Sequence, residues 1–256
     1  MSVEKRGRFD LTGQAALVTG ANTGLGQAIA VGLAEAGCDI VAVGRTAPVE
    51  TAELVAKAGR RLVAVGADLS TTEPVARVVA EAYAAFGRLD VLVNNAGIIR
   101  RADSLDFTEE DWDAVMDTNL KTVFFLSQAV AKRWVADGRG GKIINIVSML
   151  SFQGGLRVPS YTASKSALAG LTKTLCNEWA AKGINVNGLA PGYFATNNTT
   201  ALQADETRNR QILERIPAGR WGQPADIAGA AVFLASRAAD YMHGAIVPVD
   251  GGWLAR

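Results

Sequence analysis

The chain has 256 residues, 49% hydrophobic and 20% charged, enough to bury a sizeable core and best read as one domain. Its 26 Lys+Arg against 25 Asp+Glu leave a formal net charge of +1, which excludes a general electrostatic pull toward nucleic acid or an anionic membrane and favours small-molecule ligands. With no apolar leader, no run of about 18 apolar residues and only two cysteines, Cys38 and Cys176, the expectation is a soluble cytoplasmic protein with two buried thiols, no disulfide framework and no metal site.

Residues 14–20, QAALVTG, form a short apolar run ending in glycine. The following ANTGLGQAIAVGLAEAG repeats apolar residues at helical spacing, so a strand, a glycine-rich turn and a helix are predicted in succession. CDIVAVG reads as a second strand, TAELVAKAG as a short helix, RLVAVGADL as a third strand and PVARVVAEAYAAFG as another helix. Further strands are predicted at LDVLVNNAG, KIINIVS, INVNGLAPG and GAIVPVDGG, each apolar enough to be covered on both faces. Strict alternation of this kind predicts an α/β fold over 1–256, with a doubly wound parallel sheet of about seven strands and helices on both faces. Pro248 suits an edge position for the last strand, where a missing N–H is tolerated. The stretch 193–211, YFATNNTTALQADETRNRQ, is long, polar and irregular, as a lid over a ligand can be.

The turn TGANTGLG places Gly20, Gly24 and Gly26 between the first strand and helix. Bare glycines let a pyrophosphate approach the backbone, and the helix N-terminus offers N–H groups and a favourable dipole. The spacing differs from G-x-G-x-x-G, and the Gly-Lys-Ser/Thr of a nucleoside-triphosphate loop is missing. The second strand ends in Gly44-Arg45-Thr46 with no acid to hold ribose hydroxyls, so NADP is admitted and NAD is not excluded. Farther on, Tyr161 and Lys165 are spaced i, i+4 and share a helix face, and an ammonium near a phenol favours phenolate. Ser148 ends an apolar strand, and a hydroxyl at the carboxyl end of a central strand sits where ligands bind in such sheets.

Taken in order, TGANTGLG, Asp68, NNAG (94–97), Asn119 in DTNLKTVF, Ser148, YTASK (161–165) and APGYFAT (190–196) resemble the short-chain dehydrogenase/reductase family, whose members have a single Rossmann-type domain. The resemblance implies that Tyr161 is the general acid/base and that Ser148 hydrogen-bonds the substrate oxygen. It implies that Lys165 lowers the Tyr161 pKa and holds the nicotinamide ribose, and that Asn119 holds a proton-relay water. The cofactor would lie along Gly20, Asn22, Thr23, Gly24, Leu25 and Gly26, with Arg45, Asp68 and Leu69 at the adenosine end. Asn95 and Gly97 would line the cleft, with Pro191, Gly192, Tyr193 and Thr196 at the nicotinamide. A homotetramer is implied, and the tail VDGGWLAR is placed to reach a neighbouring subunit.

Within that family the strings AGIIRR, SMLSFQGGLRVPSYTASK, APGYFATNNT, RIPAGRWGQPAD and VDGGWLAR resemble the branch that interconverts 3-deoxy-hexulosonates in uronate breakdown, a branch associated with NAD. A sugar-acid substrate presents a carboxylate, which Arg101 or Arg100 and Arg157 can clamp, and hydroxyls, which Gln153, Asn197 and Asn198 can bond. The competing readings are reduction of an alginate-derived uronate aldehyde, reduction of a 3-oxoacyl thioester, and a nonenzymatic dinucleotide-binding regulator. A serine hydrolase would require His243, the one histidine, as base to Ser148.

Overall fold

A computed structural model describes residues 7–256 except the side chain of Asn198, so the expectation placed on Asn198 lies outside the described residues. The strands are β1 (Ala15–Thr19), β2 (Asp39–Gly44), β3 (Leu62–Gly66), β4 (Val91–Asn94), β5 (Gly141–Ile146), β6 (Ile184–Pro191) and β7 (Ile246–Val249). Between them run α1 (Gly24–Glu35), α2 (Val49–Lys57), α3 (Val75–Phe86), α4 (Glu109–Met116), α5 (Thr122–Ala136), α6 (Pro159–Trp179), α7 (Thr200–Ala204), α8 (Glu206–Arg215) and α9 (Ala228–Ala235). The seven strands pair in parallel in the order β3-β2-β1-β4-β5-β6-β7.

The period of two along each strand sends apolar side chains into a core on either face. Ala16 and Val18 of β1 pack with Ile29 and Leu33 of α1 and with Ala231 and Leu234 of α9. Leu17, between them, packs instead among Val78 of α3, Leu126, Val130 and Trp134 of α5 and Leu175 of α6. The expectation of two covered faces holds for the inner strands and fails at β3 and β7, which are the sheet's edges and only partly buried. Pro248 is accordingly exposed on the β7 edge. Cys38 is buried as expected, whereas Cys176 is only half-buried.

Two features hold the functional end in place. Asn94 Nδ2 donates to Ser127 Oγ and to Asn145 Oδ1, both at 2.9 Å, and Asn145 Nδ2 donates to Thr172 Oγ1 at 2.9 Å. All four residues are buried, and this string of polar groups ties β4 and β5 to α5 and α6. Between α4 and α5, residues Asp117–Lys121 form a π-helical turn, closed by donation from the Thr122 N–H to the Asp117 carbonyl. Among the described residues, no helix is long and apolar enough to cross a membrane.

Candidate active site

The strand order reverses between β1 and β4, which opens a crevice at the carboxyl ends of the strands. The glycine turn lies there. Gly20 and Gly24 have φ of 66° and 58°, and a Cβ on Gly26 would collide with the Gly20 carbonyl oxygen. Thr23 stands at the N-cap of α1 in an extended conformation with no side-chain cap bond, and the first turn carries no acid, so its N–H groups suit an anion. Asn22 is half-buried beside the turn and Leu25 packs against the core. A Cβ at Gly24 would lie 3.6 Å from Thr196 Cγ2, so the end of the APGYFAT segment lies beside the turn.

At the adenosine end, Ala21, Asn22, Arg45, Thr46, Pro48 and Gly66 line part of a cleft of roughly 200 Å³ that contains no carboxylate. Arg45 is exposed at its rim, where a guanidinium can pair with a 2′-phosphate. Asp68 stands nearby and exposed; the Ser70 N–H hydrogen bond, at 2.9 Å, and the Arg45 charge hold its carboxyl below the usual range. Leu69 is buried in the core, so only its backbone can face an adenine. Asn95 differs from the expectation in role: its Nδ2 donates to the Thr19 and Gly20 carbonyls at 2.9 and 3.2 Å, fastening β1 rather than presenting an amide to the cleft.

Ser148 follows β5 and caps a short 3-10 turn, accepting from the Leu150 N–H at 3.1 Å. Tyr161 stands in the first turn of α6, which Pro159 opens, near Ser148. Burial raises the phenol pKa above its ordinary value, while Ser148 and the positive charge of Arg101 pull it down. Lys165, one helical turn on, is buried, and burial lowers its ammonium pKa to about 8. Its Nζ donates to the Ile146 carbonyl at 2.7 Å and lies 5.6 Å from the centre of the Tyr161 ring. The expectation that Lys165 favours the Tyr161 phenolate rests on that 5.6 Å approach, and Ser148 and the Arg101 charge act in the same direction.

Asn119 lies in the π-helical turn, fully buried. Its Oδ1 accepts from the Ile98 N–H at 2.8 Å and its Nδ2 donates to the Ile98 carbonyl at 2.9 Å. A Cβ on Gly97 would meet Asn119 Oδ1 at 3.0 Å and Lys165 Nζ at 3.8 Å, so all three meet at one point of the crevice. Asn119 from the π-helical turn, Ser148 after β5, and Tyr161 with Lys165 on α6 are thus brought together from three segments.

On the substrate side the arginines divide. Arg100 is paired with Asp111 at 3.0 Å, whereas the exposed Arg101 acts electrostatically on Tyr161. Arg157 is the one non-glycine among the described residues with a left-handed φ, 62°, and its carbonyl accepts from the Ala102 N–H at 3.2 Å, joining the two substrate loops. Gln153 Oε1 accepts from Arg215 Nη2 at 3.1 Å and from Trp253 Nε1 at 3.3 Å, which fixes the amide and leaves Nε2 as the group that could meet a ligand hydroxyl. Asn197 is exposed in a 3-10 turn. The stretch 193–211 is not irregular but folds into α7 and α8, the latter capped by Asp205 accepting from the Arg208 N–H at 3.0 Å. The tail packs within its own chain, with Trp253 buried.

Sequence reading missed Thr19, whose Oγ1 accepts from the Asn95 and Ala96 N–H groups at 3.0 and 2.9 Å. It also missed the stacking of Tyr193 on Trp221 and Trp253. His243 contacts Asn185, near the start of β6, at 3.2 Å, and so lies at the opposite end of the sheet from Ser148; a Ser–His hydrolase pair is ruled out.

The family model described as Enoyl-(Acyl carrier protein) reductase matches residues 20–254. The chain is 61% identical to a 2-dehydro-3-deoxy-D-gluconate 5-dehydrogenase of Dickeya dadantii (strain 3937), over 97% of this chain and 98% of that protein. It is 59% identical to the Escherichia coli (strain K12) protein of the same name, with the same coverage. Among solved structures, it resembles a proposed 2-deoxy-D-gluconate 3-dehydrogenase from Agrobacterium tumefaciens with bound NADP (TM-score 0.93, 63% identity, 98% and 100% coverage). It also resembles a gluconate 5-dehydrogenase from Burkholderia cenocepacia J2315 in complex with NADP and tartrate (TM-score 0.91, 43% identity, 97% and 98% coverage). On this evidence the chain belongs to the short-chain dehydrogenase/reductase family and is an NAD(P)-dependent oxidoreductase.

Proposed function

We propose that this enzyme interconverts a ketone and a secondary alcohol on a 3-deoxy-hexulosonate, the pair 2,5-diketo-3-deoxygluconate and 2-dehydro-3-deoxy-D-gluconate, with NADP preferred. The observation that carries the reaction class is the convergence of Asn119, Lys165 and the Tyr161 ring on one point of the crevice, with Ser148 beside them at the carboxyl end of β5. The substrate reading is supported by relatives of that name at 61% and 59% identity and by a neighbour crystallised with NADP and tartrate, a polyhydroxylated carboxylate.

When bound, the nicotinamide exchanges a hydride with the substrate carbon. Tyr161 exchanges the proton with the substrate oxygen, and Ser148 orients that oxygen. Lys165 holds the nicotinamide ribose, with Pro191, Gly192 and Thr196 alongside. Because the Asn119 amide is committed to Ile98, a relay water there bonds the widened backbone of the π-helical turn. Arg101 and Arg157 take the carboxylate, and the segment from Tyr193 through α8 is the lid.

The test is initial rates of NADPH and NADH oxidation with 2,5-diketo-3-deoxygluconate, against an alginate-derived uronate aldehyde and an acetoacetyl thioester. Turnover is expected only with the diketo acid and faster with NADPH, and Arg45→Ala is expected to reduce the NADPH advantage by about 10- to 100-fold. Turnover confined to the aldehyde or thioester would sink the substrate assignment.

The assembly proposed is a cytoplasmic homotetramer, a location that suits an enzyme drawing on the cell's nicotinamide pool. It is supported by apolar side chains left on the surface, Phe125 and Val135 of α5 at 40% and 48% exposure and the fully exposed Tyr241 before β7. Light scattering that returns the mass of one chain would contradict it.

A further inference from the structure

Little of the lid is fully buried. The five residues of α7 bury no side chain and the ten of α8 bury only Ile212, with Leu202 and Leu213 packed half-buried toward Met149 and Trp221 and Asn209 accepting from Trp221 Nε1 at 2.8 Å, and helices this short are marginal alone. Further cover comes from the far end of the chain. Trp253, buried, packs edge-on against Tyr193 with ring centres 4.8 Å apart, and the Arg215 guanidinium lies 4.0 Å over the indole. Gln153, in the loop after Ser148, accepts from both Arg215 and Trp253, so one amide joins the serine loop, the lid helix and the tail. Arg256 donates to the carbonyls of Glu214 and Arg215 at the end of α8. The tail is itself preshaped, since the Asp250 carboxylate accepts from the Gly252 and Leu254 N–H groups, both at 2.9 Å.

We propose that the tail, residues 250–256, is a clamp supplied by the same chain that sets where α8 and Tyr193 stand over the substrate, with Trp253 and Arg215 as positioning residues for substrate selection. The proposal rests on the oxidoreductase reading above, but its physical test does not depend on the substrate. Gln153 belongs to this clamp through its Oε1.

The experiment uses the full chain saturated with NADPH and the variants Trp253→Ala, Trp253→Phe and Arg215→Met. Limited trypsin digestion at Arg208 and Arg210 reads lid opening, and KM and kcat with the diketo acid read positioning. Trp253→Ala and Arg215→Met are expected to speed cleavage about tenfold and to raise KM by a similar factor, with the NADPH Kd within about twofold of the parent. Trp253→Phe, which keeps a ring against Tyr193, is expected to recover most of both. Unchanged cleavage and KM would overturn the clamp, as would a loss of NADPH affinity as large as the change in KM, because that marks a general structural defect. Should Trp253→Ala fail to fold, the exposed Arg215→Met decides alone. Faster cleavage in an enzyme that never turns over the diketo acid would keep the clamp and reject the substrate.

Discussion

Tyr161→Phe is expected to lower kcat about 10²- to 10⁴-fold, the range of general acid–base catalysis, while the NADPH Kd stays within about twofold. Phenylalanine keeps the half-buried ring and removes only the hydroxyl, so packing survives and proton transfer does not. Steady-state rates together with a fluorescence titration of NADPH check this, and a variant retaining more than about a tenth of parental kcat shows that the proton comes from elsewhere. The pH profile carries a sign of its own. Burial holds the Tyr161 phenol above its ordinary range, so it is protonated through neutrality. Ketone reduction, which needs the acid form, should be flat around neutral pH and fall only on the alkaline side. Alcohol oxidation, which needs phenolate, should climb as pH rises.

Lys165→Met should abolish turnover and yet stabilise the protein at neutral pH. Burial lowers the lysine from 10.5 to about 8, and the unfolded chain keeps its proton to the higher value. Between those limits the unfolded state binds more protons, so wild-type stability rises as pH climbs from about 8 to 10.5; below 8 the penalty for the buried ammonium is felt in full. That penalty is on the order of 3 kcal/mol. Methionine removes it and loses the ammonium's hydrogen bond to the Ile146 carbonyl, about 2 kcal/mol for a charged donor. A net gain of about 1 kcal/mol should raise Tm by roughly 2–4 °C at pH 7. Calorimetry at pH 7 and pH 9.5 reads both parts: the advantage should shrink at the higher pH, and a variant less stable at pH 7 contradicts the burial account.

The alternation of elements was legible because an inner parallel strand must be apolar on both faces, as β1 and β6 are. The glycine turn and the Tyr161/Lys165 pair were legible because their chemistry depends on local spacing. Pro248 marked the β7 edge, but the β3 edge was not legible, since β3 is as apolar as β2 in sequence and only its place in the sheet leaves it wet. The stretch 193–211 looked irregular because α8 is polar on nearly every side, and its Asp205 cap was the one local sign of a helix. The protein partners of Gln153 and Lys165 were not legible because they are distant in sequence, Trp253 for one and the Ile146 carbonyl for the other.

The wide turn at 117–121 ties two tasks to one phase. A regular helix advances about 100° per residue, so deleting a single residue there would rotate all of α5 by that angle relative to α4. Leu126, Val130 and Trp134 would turn out of the sheet-facing core, and Asn119 would swing away from Ile98. Changes of length at this point are therefore lethal to folding as well as to chemistry, whereas a change of side chain at Asn119 touches the crevice first. Drift in such a segment can proceed by substitution but not by insertion or deletion.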